Sequence, residues 1–124
     1  MDLGIDGKAA LVTGGDSGIG WHTAKMLLDE GVRVVISDRD PEKLDAAAKK
    51  LGGADGQLFA FAADVTDTEA VEHLAALTQQ AVGDIDILVQ SSGVTGAQGL
   101  FHEIDEEGWR STLDIDLMGP VRLL

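Results

Sequence analysis

The sequence predicts an α/β fold: a doubly wound parallel sheet with helices on both faces. Three observations lead there. The 124 residues are the length of one compact domain. Four short apolar or β-branched runs alternate with four amphipathic helical stretches, an order that requires crossover connections and so a parallel sheet between helices. A glycine-rich turn, Gly14-Gly15-Asp16-Ser17-Gly18-Ile19-Gly20, separates the first run from the first helical stretch.

The elements follow in order. Lys8–Thr13 (KAALVT) reads as a strand buried on both faces. From Ile19 to Glu30, Ile19, Met26 and Leu27 recur at helical spacing, and Gly31 is a natural stop. Val32–Ser37 (VRVVIS) is β-branched and reads as the second strand. Asp40 is placed to cap a helix with Pro41 at its first position, running to about Leu51 and ended by Gly52-Gly53. Gln57–Ala63 reads as the third strand. Thr66 and Glu69 have capping-box spacing ahead of a helix whose face carries Val71, Leu74, Ala75, Thr78 and Val82, closed by Gly83. Ile85–Val89 is the fourth strand, followed by the Ser/Gly-rich loop SSGVTGAQG. Asp105 is the expected cap of a last helix, with Glu106 and Glu107 in its positive first turn and Trp109, Leu113, Leu117, Val121 and Leu124 along it. The sequence stops at PVRLL, within an apolar helical face, and the fourth strand has a free edge. The natural protein is therefore expected to continue.

Composition narrows the function. With 44% hydrophobic and 25% charged residues the chain is globular rather than disordered. No apolar run reaches the ~18 residues of a membrane span, and the acidic N-terminus MDLGIDGKAA is not a secretory signal. A soluble, cytoplasmic protein is expected. The absence of cysteine excludes disulfides and thiolate chemistry. A net charge of -13 argues against nucleic acid and anionic membranes as partners. The excess is scattered, with FHEIDEEGW its one dense patch, and fits a solvated surface.

The glycines have a physical use. They sit where a strand gives way to a helix, and unpaired N–H groups and the helix dipole attract an anion there. Glycine allows a sharp turn and lets a pyrophosphate approach without meeting a Cβ. The spacing is Gly14-x-x-x-Gly18-x-Gly20, neither GxGxxG nor a P-loop. Asp38 ends the second strand 18 residues after Gly20, where a carboxylate accepts hydrogen bonds from an adenosine ribose. Asp38 and Asp16 both oppose a 2′-phosphate and Arg39 favours one, so NAD is preferred over NADP.

These residues resemble the short-chain dehydrogenase/reductase family, and the resemblance runs along essentially the whole chain. TGGDSGIG, from Thr13 to Gly20, is similar to that family's TGxxxGxG signature, and so includes Ser17 and Ile19. Asp38 matches the acidic residue of its NAD-preferring members. Asp64-Val65 is similar to the pair that holds the adenine ring. Ser91, Ser92 and Gly93 stand where the family has Asn-Ala-Gly. The stretch Trp109–Pro120 resembles the helix carrying the family's catalytic Asn, with Asp116 at that position. The resemblance implies a Rossmann-type cofactor domain, and hydride transfer between a nicotinamide and a small-molecule alcohol or ketone. Ser91 has a shorter reach than Asn for supporting the sheet. Asp116 either keeps the backbone contact implied for that position or is a helix-surface carboxylate without a role. The family's Ser, Tyr and Lys find no match, and the chain has no Tyr, so the chain alone is expected to bind cofactor without turnover.

Other constellations are set aside. His22, His73 and His102 lack a second ligand at helical spacing, so no metal site is expected. His102 sits at the sheet edge where ligands bind, but a solvated loop is the simpler reading. Trp21 and Trp109 are expected against the sheet or a partner helix. Ser17 and Ser92 lack a His–Asp pattern. Leu113, Leu117 and Val121 are either core or, as the resemblance implies, a homo-oligomer interface. The expectation is an NAD-dependent oxidoreductase; the alternative is a non-catalytic dinucleotide-binding module or truncated protomer.

Overall fold

The computed structural model describes residues 1–124. Four strands, β1 (Ala9–Thr13), β2 (Arg33–Ser37), β3 (Leu58–Ala60) and β4 (Ile87–Gln90), form one sheet in the order β3-β2-β1-β4, every pairing parallel. Helices α1 (Gly18–Asp29), α2 (Pro41–Leu51) and α3 (Thr68–Val82) are the crossovers. After β4 come a 3₁₀ turn at Phe101–Glu103, helix α4 (Glu106–Leu113), a π turn at Asp114–Met118 and α5 (Gly119–Leu123). The expected doubly wound architecture is present.

β1 is buried along its whole length because both faces are covered. Ala10, Val12, Val34 and Ile36 join Ala24 and Leu28 of α1 and Leu44 of α2 in one core. Ala9, Leu11 and Val35 point the other way and meet Leu74 and Val82 of α3, with Leu123 of α5 against them. Alternate residues of each central strand thus feed opposite cores, as a strand's two-residue period requires.

Several local expectations need correction. Ile19 and Met26 are 80% and 69% exposed; the buried face of α1 is Gly20, Ala24 and Leu28, because small residues let the helix lie close to the sheet. α3 is capped by Asp67, whose carboxylate accepts from the Glu69 and Ala70 N–H groups. Thr66 is not the cap: it lies one residue before Asp67, and its N–H and hydroxyl donate back to Asp64. β3 is shorter than expected, Leu58–Ala60, although the chain stays beside β2 through Phe61 N–H to Ile36 O (3.1 Å) and Ala63 N–H to Asp38 O (2.9 Å). β4 begins at Ile87 rather than Ile85: Asp86 spends its side chain on the Ala9 N–H (3.0 Å) and the Lys8 ammonium (3.4 Å). The last helix is interrupted by the π turn. Trp21 does meet a partner helix, donating Nε1–H to Ala47 O (3.2 Å), whereas Trp109 packs on Phe101 of the 3₁₀ turn, ring centroids 5.6 Å apart.

Leu74 is 1% exposed at the centre of the second core. Leu74→Ala is expected to cost about 3 kcal/mol of unfolding free energy, read as a lower urea midpoint.

Candidate functional site

The carboxyl ends of the strands open into a cleft of about 580 Å³. Its walls are the glycine loop after β1, the residues following β2 and β3, and Ser91–Val94 after β4. Every residue assigned above to cofactor contact lines it, from Gly14 through Asp38 and Asp64 to Gly93. Residues about 80 positions apart in sequence meet because parallel strands bring all their carboxyl ends to one edge. The cleft adds Asp40, Lys43, Ala63, Thr66, Val94 and Ile115, which sequence reasoning missed as site residues. Lys43 was findable, since it lies two residues beyond Pro41 in the first turn of a helix that starts at this edge.

Two of the glycines are demanded by close approach. A Cβ on Gly14 would lie 2.6 Å from the Ser91 carbonyl, and one on Gly20 would overlap the Gly14 carbonyl oxygen and Ser91 Oγ. Gly18 differs: its φ is +54° and its Cβ position faces open space. The room needed for a phosphate group to reach backbone is therefore present at Gly18.

The start of α1 is open in a second sense. Asp40, Asp67 and Asp105 cap α2, α3 and α4 through their carboxylates, but no side chain caps α1. The Ser17 hydroxyl donates instead to Asp16 Oδ1 (3.0 Å). The first-turn N–H groups of α1 face the cleft without a side-chain acceptor, which suits an anionic ligand.

Asp38 stands at the end of β2, half-buried, with Oδ1 accepting from the Arg39 N–H (2.7 Å). Burial pushes its carboxyl above the ordinary range; the Arg39 N–H bond opposes this, and a hydrogen-bonding contact with Asp16 adds to it. Asp64 is the reverse case, held below the usual range by the Thr66 N–H (2.9 Å) and hydroxyl (2.8 Å). These bonds shape the turn that presents Val65 to the cleft.

Ser91 does support the sheet. Its Oγ donates to Thr13 O (2.6 Å) and its N–H bonds the same carbonyl (3.1 Å), tying the ends of β1 and β4. Asp116 lies in the π turn, and its Oδ1 accepts from the Val94 N–H (2.9 Å). It is thus neither idle nor a free charge, but holds the loop after β4. Arg122 was not singled out from the sequence. Its side chain is 18% exposed, and its guanidinium donates to Val65 O (2.9 Å), Asp114 O (3.2 Å) and Asp114 Oδ1. A single Arg inside the apolar run PVRLL was the available signal. Of the histidines, His22 bonds Gly18 O (2.7 Å) and His102 lies exposed in the 3₁₀ turn, outside the cleft lining.

Comparison with known proteins agrees with this geometry. The family model described as short chain dehydrogenase matches residues 8–124. The chain belongs to the short-chain dehydrogenase family. It is 41% identical over 119 residues to D-threitol dehydrogenase of Mycolicibacterium smegmatis, covering 96% of this chain and 45% of that one. It is 36% identical over 116 residues to 2,3-dihydro-2,3-dihydroxybenzoate dehydrogenase of Bacillus subtilis, covering 94% and 44%. A Brucella melitensis short-chain dehydrogenase/reductase (glucose/ribitol dehydrogenase) superposes with a TM-score of 0.91 at 32% identity, covering 99% of this chain and 52% of that one. An actinorhodin polyketide ketoreductase solved with NADPH gives 0.88 at 32% identity, covering 99% and 46%. The chain spans about half the length of the curated relatives it matches.

Gly20→Ala is expected to cost about 2–3 kcal/mol through overpacking against backbone, seen as a lower melting temperature. Asp64 carries a pH signature. Its lowered carboxyl gives stability that is present above the ordinary carboxylate pKa and lost as pH falls through the lowered value. Asp64→Asn should therefore be less stable than the parent near neutral pH, and the two unfolding curves should converge in strong acid.

Proposed function

We propose that the chain binds NAD in the cleft and serves an oxidoreductase that transfers hydride between the nicotinamide and a small-molecule alcohol or ketone. The observation that carries this reading is the placement of Asp38 beside the uncapped start of α1. A carboxylate suited to accept from ribose hydroxyls and a row of N–H groups suited to donate to a pyrophosphate stand on one wall, at the separation a βαβ unit imposes. Asp38 and Asp16 together disfavour a 2′-phosphate, with Arg39 opposing them, and this supports NAD over NADP.

The chain's own residues bind and orient. Gly18, Ile19 and Gly20 meet the pyrophosphate, with Gly14 and Ser17 shaping the turn. Asp64 and Val65 form the wall against the adenine. Ser91, Ser92 and Gly93 line the far end, where Asp116 acts as a positioning residue through the Val94 N–H. The hydride chemistry itself is the nicotinamide's when it is bound. The family resemblance implies a Tyr as proton donor, and the chain contains none; the 124 residues alone are expected to bind without turnover. That same absence supports the second reading, a dinucleotide-binding module or truncated protomer. A homo-oligomer through the last helix is supported by the exposure of Trp109, Leu113, Leu117 and Val121. A cytoplasmic location completes the reading.

Titration calorimetry with NAD tests it. NAD is expected to bind the chain, and Asp38→Ala to weaken it about tenfold, the worth of a charge-assisted hydrogen bond. Equal NAD binding by the parent and Asp38→Ala would remove the basis of the reading.

A further inference from the structure

We infer that Arg122 is a positioning residue for the cofactor: by holding the Val65 carbonyl from outside the cleft, it fixes the wall that the adenine end of a dinucleotide meets. The inference rests on the dinucleotide reading above and deepens it.

The turn after β3 is tied to β2 and to itself. Ala63 N–H bonds Asp38 O (2.9 Å), and Asp64 accepts from the Thr66 N–H and hydroxyl. Val65 is reached from the other edge of the sheet. Arg122 Nη1, 57 positions away in sequence, donates to its carbonyl (2.9 Å). Gly119 lies against its side chain, where a Cβ would come within 2.8 Å of Val65 Cγ2. These segments meet because α3 crosses the sheet from β3 to β4 and α5 packs beside it, with Leu123 against the core of Leu74 and Val82. Val65 lines the cleft and Arg122 does not. The guanidinium thus supports the wall without meeting the ligand.

Packing alone does not call for an arginine here. Residue 122 lies in the apolar run PVRLL, and its side chain is 18% exposed. A buried guanidinium is costly unless its donors are paired, and an apolar residue of similar size often serves stability as well. Arg122 has its partners in Val65 O, Asp114 O (3.2 Å) and Asp114 Oδ1. Asp114, in the π turn, aims the guanidinium, and the Val65 carbonyl is what it reaches. The same charge acts on the neighbouring wall residue: the Thr66 bonds hold the Asp64 carboxyl low, and Arg39 and Arg122 add to them. A methionine at 122 fills much of the same space but leaves the Val65 carbonyl without this donor.

A fixed wall acts on affinity through order. A ligand that meets a loose turn must immobilise it on binding, and that cost lowers affinity. Loss of Arg122 should therefore weaken NAD while the fold and the glycine loop stay as they are.

The test is calorimetry with NAD on this chain, with amide NMR shifts read on the same samples, at a temperature where melting curves show each variant folded. Arg122→Met is expected to bind NAD about tenfold more weakly than the parent. Arg122→Lys keeps the charge and a donor that can reach one carbonyl, and is expected to lose only about threefold. At saturation, NAD should shift the Gly18 and Gly20 amides alike in parent and variants, while the Val65 and Thr66 shifts shrink in Arg122→Met. Leu74→Ala controls for lost stability alone: it should melt lower and bind NAD as the parent does. NAD affinity in Arg122→Met within about twofold of the parent would overturn the inference. So would an equal loss of affinity in Leu74→Ala, or Gly18 and Val65 shifts that shrink together. Should Arg122→Met fail to fold, Arg122→Lys decides alone, with parent-like affinity and Val65 shifts overturning the inference. All of these results leave NAD binding by the parent intact and so spare the cofactor reading. Failure of the parent to bind NAD would sink that reading and this inference together.

Discussion

No Cβ fits where Gly14, Gly20 and Ser91 meet, and the site is organised around that contact. Three backbones converge there: the loop leaving β1, the first turn of α1 and the loop leaving β4. The Ser91 hydroxyl and N–H both reach the Thr13 carbonyl, so the two strand ends are tied across the sheet. With the contact made, α1 starts directly over the carboxyl edge and its first-turn N–H groups open onto the cleft. A bulkier residue at either glycine would push the helix from the sheet and close the approach to its N-terminus.

The acidic excess is more than a solvated surface. Asp40, Asp67 and Asp105 satisfy the first turns of their helices. Asp86 anchors the start of β1 to the chain entering β4. Asp64 folds the turn before α3, and Asp116 holds the loop after β4. Among the crossover helices, α1 alone is left without a side-chain cap, and its first turn lines the cleft. The same backbone donors are thus sealed by carboxylates in α2, α3 and α4 and open to the cleft in α1.

The second half of the cleft wall depends on the π turn. The extra residue in that turn places the Gly119 N–H on Asp114 O and brings Gly119 against Val65, where a Cβ would sit 2.8 Å from Val65 Cγ2. Arg122 then bridges Val65 and Asp114. The Val65 wall of the cleft and the turn bearing Asp116 are thus one connected unit, although they come from opposite edges of the sheet. Beyond it, Leu113, Leu117 and Val121 remain about half exposed, and β4 pairs with β1 alone.

The sequence by itself determined the order of strands and helices, the placement of the glycine turn and the identity of Asp38, because these are written in local periodicity and turn chemistry. It also determined the caps Asp40 and Asp105, whose signals lie within one helical turn. Tertiary structure decided the rest. Ile19 and Met26 had the right spacing for a core face, yet the sheet selected Gly20 and Ala24, since close helix–sheet packing favours small side chains over apolar ones. Thr66 lost the cap to Asp67, whose carboxylate reaches the Glu69 and Ala70 N–H groups, while Thr66 bonds back to Asp64. The roles of Asp116 and Arg122 lie in contacts between distant segments. No local pattern encodes such a contact, because it exists only once the sheet has brought the strand ends to one edge.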